Sequence, residues 1–326
     1  MRLVFCGTPQ FAIPTLQGLL QAGHTIELVV TQPDRVRGRG QAASPPPVKV
    51  LATEAGLPVV QPEKIKSNLE LRARLESIKP DAIIVVAYGR IIPEWMLNLP
   101  RWGNLNLHAS LLPKYRGAAP IQWAVAQGET VTGATTMRID QGLDTGDILL
   151  QRELPIDPDQ TAEQLFPLLA TSGAALMLET LAGLEAGTIQ PVAQDNTRAS
   201  LAPILEREDA LVDFTRPAAE IYNRWRGFQP WPGAYTFFRG KKLTLHRLVP
   251  AGSTQGSPGE ASVEHDRMFV AAGSATRLEL LEVQLEGKKR MLVADFLRGA
   301  SPRPGAAAHP SAAAHPKELL GRPLET

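Results

Sequence analysis

The chain has 326 residues, 44% hydrophobic and 21% charged, an ordinary globular composition long enough for two domains with a core each. A disordered chain and a disulfide-stapled miniature are both excluded, the second because Cys6 is the only cysteine. A formal net charge of +1 names no partner, so charge has to be read locally.

Short apolar runs bounded by turn residues fall at 3–6, 26–31, 82–88 and 105–108 and suit buried parallel strands. Cys6 ends the first of them and reads as a small buried hydrophobe. Helical periodicity lies between the runs at 11–21, 48–55, 69–78 and 118–127. This alternation predicts an α/β fold, a Rossmann-like open parallel sheet with helices on both faces. A strand pair at 132–139 and 147–153 precedes a long helical pattern at 162–186. Residues 190–208 are polar and irregular and read as a linker.

A short helix is expected over 215–225, then strands at 234–238, 243–248, 268–271, 278–283 and 291–296, punctuated by glycines. That pattern suits a small OB-like β-barrel. The expected division is a catalytic domain over 1–189, a linker over 190–208, a barrel over 209–300 and an Ala/Pro-rich tail over 301–326. No run of about 18 uninterrupted apolar residues is present, and the start lacks the pattern of a secretory leader. A cytoplasmic protein with no membrane span is therefore expected.

Open α/β sheets bind ligands beyond the carboxyl ends of their strands. Gly7-Thr8-Pro9 follows the first strand, but no G-x-G-x-x-G is present and Pro9 removes an amide. A dinucleotide is not expected, and no metal-ligand pattern stands out. Asn106 and His108 alternate along the strand 105–108, so period two puts them on one side. Asp144 lies in the glycine-rich loop Gln141-Gly142-Leu143-Asp144-Thr145-Gly146-Asp147. Converged, an amide, an imidazole and a carboxylate would suit acyl transfer: donors for an oxyanion, and a carboxylate to hold the imidazolium or relay protons. On residues alone, a histidine at a strand end is more often a satisfied structural group.

A longer run settles the weighting. Asn106-Leu107-His108-Ala109-Ser110-Leu111-Leu112-Pro113-Lys114-Tyr115-Arg116-Gly117-Ala118-Ala119-Pro120 closely resembles the signature of the folate-dependent formyltransferases. Leu143-Asp144-Thr145-Gly146-Asp147-Ile148-Leu149 resembles their second motif at the expected distance. Phe5-Cys6-Gly7-Thr8-Pro9-Gln10-Phe11-Ala12 is similar to the opening of the branch that acts on methionyl-tRNA.

The resemblance covers nearly all of the chain up to about residue 300. It implies Asn106, His108 and Asp144 as the catalytic trio. It implies Ser110, Leu111, Leu112 and Pro113 as lining of the folate site. Tyr88, Gly89, Arg90, Ile91 and Ile92, with Arg138, Ile139, Asp140, Gln141 and Gly142, would hold the pterin. The donor implied is 10-formyltetrahydrofolate as co-substrate. The acceptor implied is the α-amino group of initiator methionyl-tRNA, formylated for the start of protein synthesis by a monomer.

The segment Gln32-Pro33-Asp34-Arg35-Val36-Arg37-Gly38-Arg39-Gly40-Gln41 suits a flexible basic loop. On composition alone it is equally a solvated surface loop. In the resembling family a loop at this place reaches the acceptor end of tRNA, which implies Arg35, Arg37 and above all Arg39 as contacts. Gln41-Ala42-Ala43 stands where that family usually continues with lysines. Arg207 replaces a common lysine and keeps its charge, while Phe214 stands where tryptophan is common. From 216 to 247 there are seven Lys or Arg against one acid, Glu220, which suits a nucleic-acid backbone. The aromatics among them read as core before they read as stacking platforms. Two alternatives stay open: a formyltransferase acting on an amino-sugar nucleotide, and a non-catalytic RNA-binding protein on an inactive enzyme fold.

Overall fold

The structure is a computed structural model that describes residues 1–36, 43–300 and 318–319. Arg37, Arg39 and the rest of the tail expected at 301–326 lie outside the described residues. The chain divides into two compact units. One comprises Met1–Ile121, Thr130–Pro158 and Gln164–Ile204; the other comprises Gln122–Glu129, Asp159–Glu163 and the chain from Leu205.

The strands of the first unit are β1 (Arg2–Gly7), β2 (Thr25–Val30), β3 (Arg35–Val36), β4 (Ala43–Ser44), β5 (Val59–Val60), β6 (Ala82–Val86), β7 (Asn104–His108), β8 (Val131–Arg138) and β9 (Ile148–Pro155). Its helical segments are α1 (Ile13–Gln21), α2 (Pro47–Glu54), α3 (Leu69–Ile78), α4 (Glu94–Leu97), the start of α5 (Pro120–Ala126) and most of α6 (Ala162–Ala186). The main sheet runs β5-β2-β1-β6-β7-β8-β9, parallel as far as β7 and antiparallel beyond it. β8 and β9 pair antiparallel for a simple reason: a loop joins them, and a parallel pair needs a crossover of a dozen or more residues. β3 and β4 form a separate two-stranded ribbon, Arg35 opposite Ser44, at the base of the basic loop.

Leu3, Val4, Phe5 and Cys6 on β1 are all fully buried, which only a sheet covered on both faces allows. Val4 and Cys6 pack with Leu28, Ile83, Val85 and the α3 residues Leu71 and Leu75. Burial also pushes the Cys6 thiol up, so the sulfur is an inert core atom. The Asn68 side chain caps α3 by accepting from the Leu71 amide at 2.8 Å. On α6, Phe166 meets the Phe11 ring edge-on at 5.1 Å, and the Thr180 hydroxyl bonds that of Thr136 on β8 at 2.7 Å. α6 has 25 residues and a mean hydropathy of 1.5 over its best window, enough by length and composition to cross a membrane. Half of that window is buried inside the protein, as in the core helix of a globular domain.

The segment expected as a linker over 190–208 clusters with the first unit as far as Ile204. Val192 bridges to Ile148, and Leu201 bridges to Arg116. Its polar composition reflects hydrogen bonds to loops rather than exposure to water alone.

The second unit holds α7 (Ala218–Gly227), β10 (Tyr235–Phe238), β11 (Lys241–Ser253), β12 (Glu260–Glu264), β13 (Arg267–Ala272), β14 (Thr276–Leu285), β15 (Met291–Leu292), α8 (Val293–Ala300) and β16 (Glu318–Leu319). Its antiparallel sheet, ordered β10-β11-β14-β13-β12-β16, curls into a half-barrel. The core is built from Phe214, Ile221, Leu243, Leu245, Met268, Leu278 and Leu280. The strand expected over 291–296 is a correction: only Met291–Leu292 pairs, and a helix follows. Val293 and Phe296 are both buried with Leu297 beside them, a spacing that serves a helix face and not a pleated strand.

Candidate active site

β7 carries two of the expected residues. Val85 on one side and Met137 on the other flank Asn106, which is half-buried. His108 ends the strand opposite Thr135 and is 5% exposed. Its Nε2 lies 2.9 Å from the Tyr115 carbonyl oxygen. Its Nδ1 lies 3.6 Å from Oδ2 of Asp144, an ion-pair distance. Both ring nitrogens therefore face acceptors.

Asp144 is brought to His108 by the loop between β8 and β9. Its φ is +52°, a left-handed conformation uncommon for a residue with a side chain. The loop folds back tightly: a Cβ on Gly146 would sit 1.9 Å from the Arg138 carbonyl oxygen. Glycine is required there for a close approach, not for flexibility. Asp140 staples the turn, its carboxylate accepting from the Gly142 amide at 2.9 Å and the Thr145 hydroxyl at 2.7 Å. The Asp144 carboxylate accepts from the Gly117 amide at 2.8 Å. One backbone stretch thus serves both partners, through the Tyr115 carbonyl and the Gly117 N–H. No reading of residue types could have found those two groups, because backbone atoms carry no sequence signal.

The remaining expected residues fall into two sets. Ser110 is fully buried, and its hydroxyl donates to the Lys114 carbonyl at 2.6 Å. The Leu112 amide donates to Thr135 Oγ1, and its carbonyl accepts from Gln151. Ser110 and Leu112 build the wall behind the site, while Leu111 and Pro113 are half-buried. Tyr88 and Ile92 belong to the apolar cluster beneath β1 and β6. Burial, then the nearby Cys6, pushes the Tyr88 phenol up. Gly89 and Ile91 are exposed, Ile91 to 90%. Arg90 donates to the Glu63 carbonyl at 2.6 Å. Arg138 is half-buried, with an Nε that meets no partner, and Ile139 packs on the same cluster as Tyr88. Asp140, Gln141 and Gly142 are exposed. Among the described residues, no three His, Cys, Asp or Glu side chains converge as a metal site would require.

Of the basic residues, Arg35 is exposed and donates to Gln32 at 3.1 Å. Arg207 is exposed in the second unit. Much of the basic stretch after it is occupied internally. Arg216 pairs with Asp213 and Glu220, Arg247 pairs with Glu282, and Arg224 lies over Trp123 and Phe228. Arg226 is buried. Lys241 stays exposed, and the exposed Lys242 lies over the Tyr235 ring. Of the aromatics read as core, Phe228 and Phe238 are buried, Tyr222, Trp225, Tyr235 and Phe237 are half-buried, and Trp231 is 53% exposed.

The sequence matches the family described as formyl transferase over residues 1–181, and the formyl transferase C-terminal domain over 204–301. A methionyl-tRNA formyltransferase of Acidobacterium capsulatum is 70% identical over 305 residues, 93% of this chain and 98% of that one. The methionyl-tRNA formyltransferase of Koribacter versatilis is 60% identical over 93% of this chain and 96% of its own. Among solved structures, a sugar N-formyltransferase, WlaRD, crystallised with dTDP and 5-N-formyl-THF, superposes with a TM-score of 0.63 at 18% identity. The match covers 89% of this chain and 99% of that one and bears on the fold alone. With both family domains matched in order along most of its length, the chain belongs to the formyl transferase family.

Proposed function

We propose that this protein transfers the formyl group of 10-formyltetrahydrofolate to the α-amino group of initiator methionyl-tRNA. The observation that carries the reading is identity: 70% over 98% of the length of a relative bearing the name of that activity. The site's geometry is consistent with the chemistry. The neutral amine attacks the formyl carbon, and the carbonyl electron pair moves to oxygen. Asn106 supplies an amide donor to that oxyanion, an interaction commonly worth about 3 kcal/mol in the transition state. The carbon–nitrogen bond to the folate then breaks, and the electron pair leaves with the folate nitrogen, which takes up a proton.

The proton lost by the amine passes to the His108–Asp144 pair, whose atoms lie 3.6 Å apart. His108 was expected to face the oxyanion. Its Nε2 is instead engaged by Tyr115, so its role here is to hold and exchange the proton with Asp144. Leu111, Pro113 and the exposed turn at Gly89 and Ile91 offer apolar and backbone surface for the folate. Arg35, Arg37, Arg39 and Arg207 are the arginines proposed to meet tRNA phosphates.

The test is formyl transfer from 10-formyltetrahydrofolate to charged initiator methionyl-tRNA, with charged elongator methionyl-tRNA and an amino-sugar nucleotide as parallel acceptors. Fast transfer to the initiator alone is expected. Transfer to the sugar would keep the catalytic trio and overturn the tRNA assignment. Transfer to none would favour a binding protein on an inactive fold.

A further inference from the structure

We infer that Gln194, held by the buried Arg116, is the positioning residue that sets Asp144 for proton transfer. This rests on the catalytic reading of Asp144 given above. Gln194 sits in the strap over 190–204, outside both sequence motifs. Its Nε2 donates to the Asp144 carbonyl at 2.8 Å and to the Gly146 carbonyl at 2.8 Å. Its Oε1 accepts from Arg116 twice, from Nε at 3.0 Å and from Nη2 at 2.7 Å. An amide side chain has two N–H donors and two lone pairs, and all four are used. Arg116 is 7% exposed, and its Nη2 also donates to the Asn196 side-chain oxygen at 2.8 Å.

The arrangement fixes Asp144 from both ends. Its backbone carbonyl is referenced to Arg116 through Gln194, and its carboxylate is referenced to the next residue, through the Gly117 amide. Arg116 is itself anchored, its amide donating to the Ser200 carbonyl at 2.8 Å and its carbonyl accepting from Ala202 at 2.7 Å. A residue at φ +52° needs surroundings that over-determine it. Here a single side-chain amide gathers the carbonyls on either side of Thr145 and pins the peptide that carries the carboxylate. The neighbouring Tyr115 carbonyl orients His108 from the same stretch. Relaxing Gln194 would let Asp144 swing from His108 without touching either substrate.

The experiment measures kcat and KM for both substrates in Gln194→Met and Gln194→Glu, alone and on an Asp144→Asn background, with thermal melting as a check of folding. Methionine keeps the length and loses the bonds. Glutamate keeps a partner for Arg116 but turns an acceptor toward two carbonyl oxygens, so it serves even where methionine unfolds the protein. Either change is expected to lower kcat by roughly 10- to 100-fold, as misplacing a group by about 1 Å does, with both KM values within about twofold of the parent. On the Asp144→Asn background the same change is expected to cost less than about threefold, because residues that act as a unit are not additive. An unchanged kcat, a loss carried by KM alone, or an equal loss on both backgrounds would overturn the role of Gln194 and leave Asp144 untouched. Full activity in Asp144→Asn alone would instead overturn the catalytic reading itself, and the role of Gln194 with it.

Discussion

His108 in the first unit and Arg226 in the second are almost equally hidden, at 5% and 3% exposed. Each is a side chain that can carry positive charge out of water, and each is hydrogen-bonded to a backbone carbonyl. The partners differ. His108 faces one backbone carbonyl and a carboxylate on a loop held in a left-handed turn. Arg226 donates to the Gln160 carbonyl at 2.8 Å and to the Asn223 side chain at 2.6 Å, and lies 5.5 Å from the Tyr222 ring. Burial lowers the Arg226 pKa, and Tyr222 and then Asp159 pull it back. One group is buried beside a carboxylate carried on a loop, 3.6 Å from its ring. The other is buried as a pin between segments of its own unit. Depth of burial alone does not mark His108 as the proposed catalytic residue and Arg226 as a structural one; the reading rests on their partners.

Two substitutions would break that comparison if it were wrong. His108→Ala is expected to cut turnover by roughly a hundredfold or more while the melting temperature stays close to that of the parent, since the residue ends its strand. Near-normal turnover in a folded variant would remove His108 from the mechanism. Arg226→Ala is expected to do the reverse. It strips the donor from Gln160 and Asn223 and opens space beside Tyr222, at a cost of about 3 kcal/mol in unfolding free energy. Urea unfolding that leaves the midpoint unchanged would show that the pin is idle.

The same contrast governs what was legible in the sequence. The buried strands and α3 were legible because one physical pattern dominates each of them: continuous burial in β1 and β6, and a capped apolar stripe at Leu71 and Leu75. The pairing of Asn106 with His108 followed from period two along β7. The convergence of Asp144 with them comes from motif resemblance alone, because a glycine-rich loop has no periodicity to read. The start of α8 reads as a strand because Met291–Leu292 is one, and only tertiary packing of Val293 and Phe296 decides the rest. β12 was missed because Ala261 is its only buried apolar residue. The polar composition of 190–208 reads as a linker and does not show the hydrogen bonds that Gln194 and Ser200 make within the first unit.

The smallest effect comes from Tyr222, which stands beside Arg226 on α7. Its hydroxyl donates to Asp159 Oδ1 at 2.9 Å. Burial first, then that hydrogen bond and the Asp159 charge, push its phenol up to about 12. An unfolded tyrosine titrates near 10. Below that pH both states hold the proton, and the stabilising contribution is fully present. Between about 10 and 12 the unfolded chain gives up a proton that the folded one keeps, so unfolding is favoured as pH rises through this window. Tyr222→Phe removes both the titration and the hydrogen bond. The variant is therefore expected to be slightly less stable than the parent at pH 8 and to lose less of its stability toward the alkaline end. Other phenols and amines titrate in the same range, but they are common to both proteins and cancel in the difference. Parallel alkaline slopes for the two urea midpoints would mean that Tyr222 is not held by Asp159, and that Arg226 is pinned by Gln160 and Asn223 without help from this edge of α7.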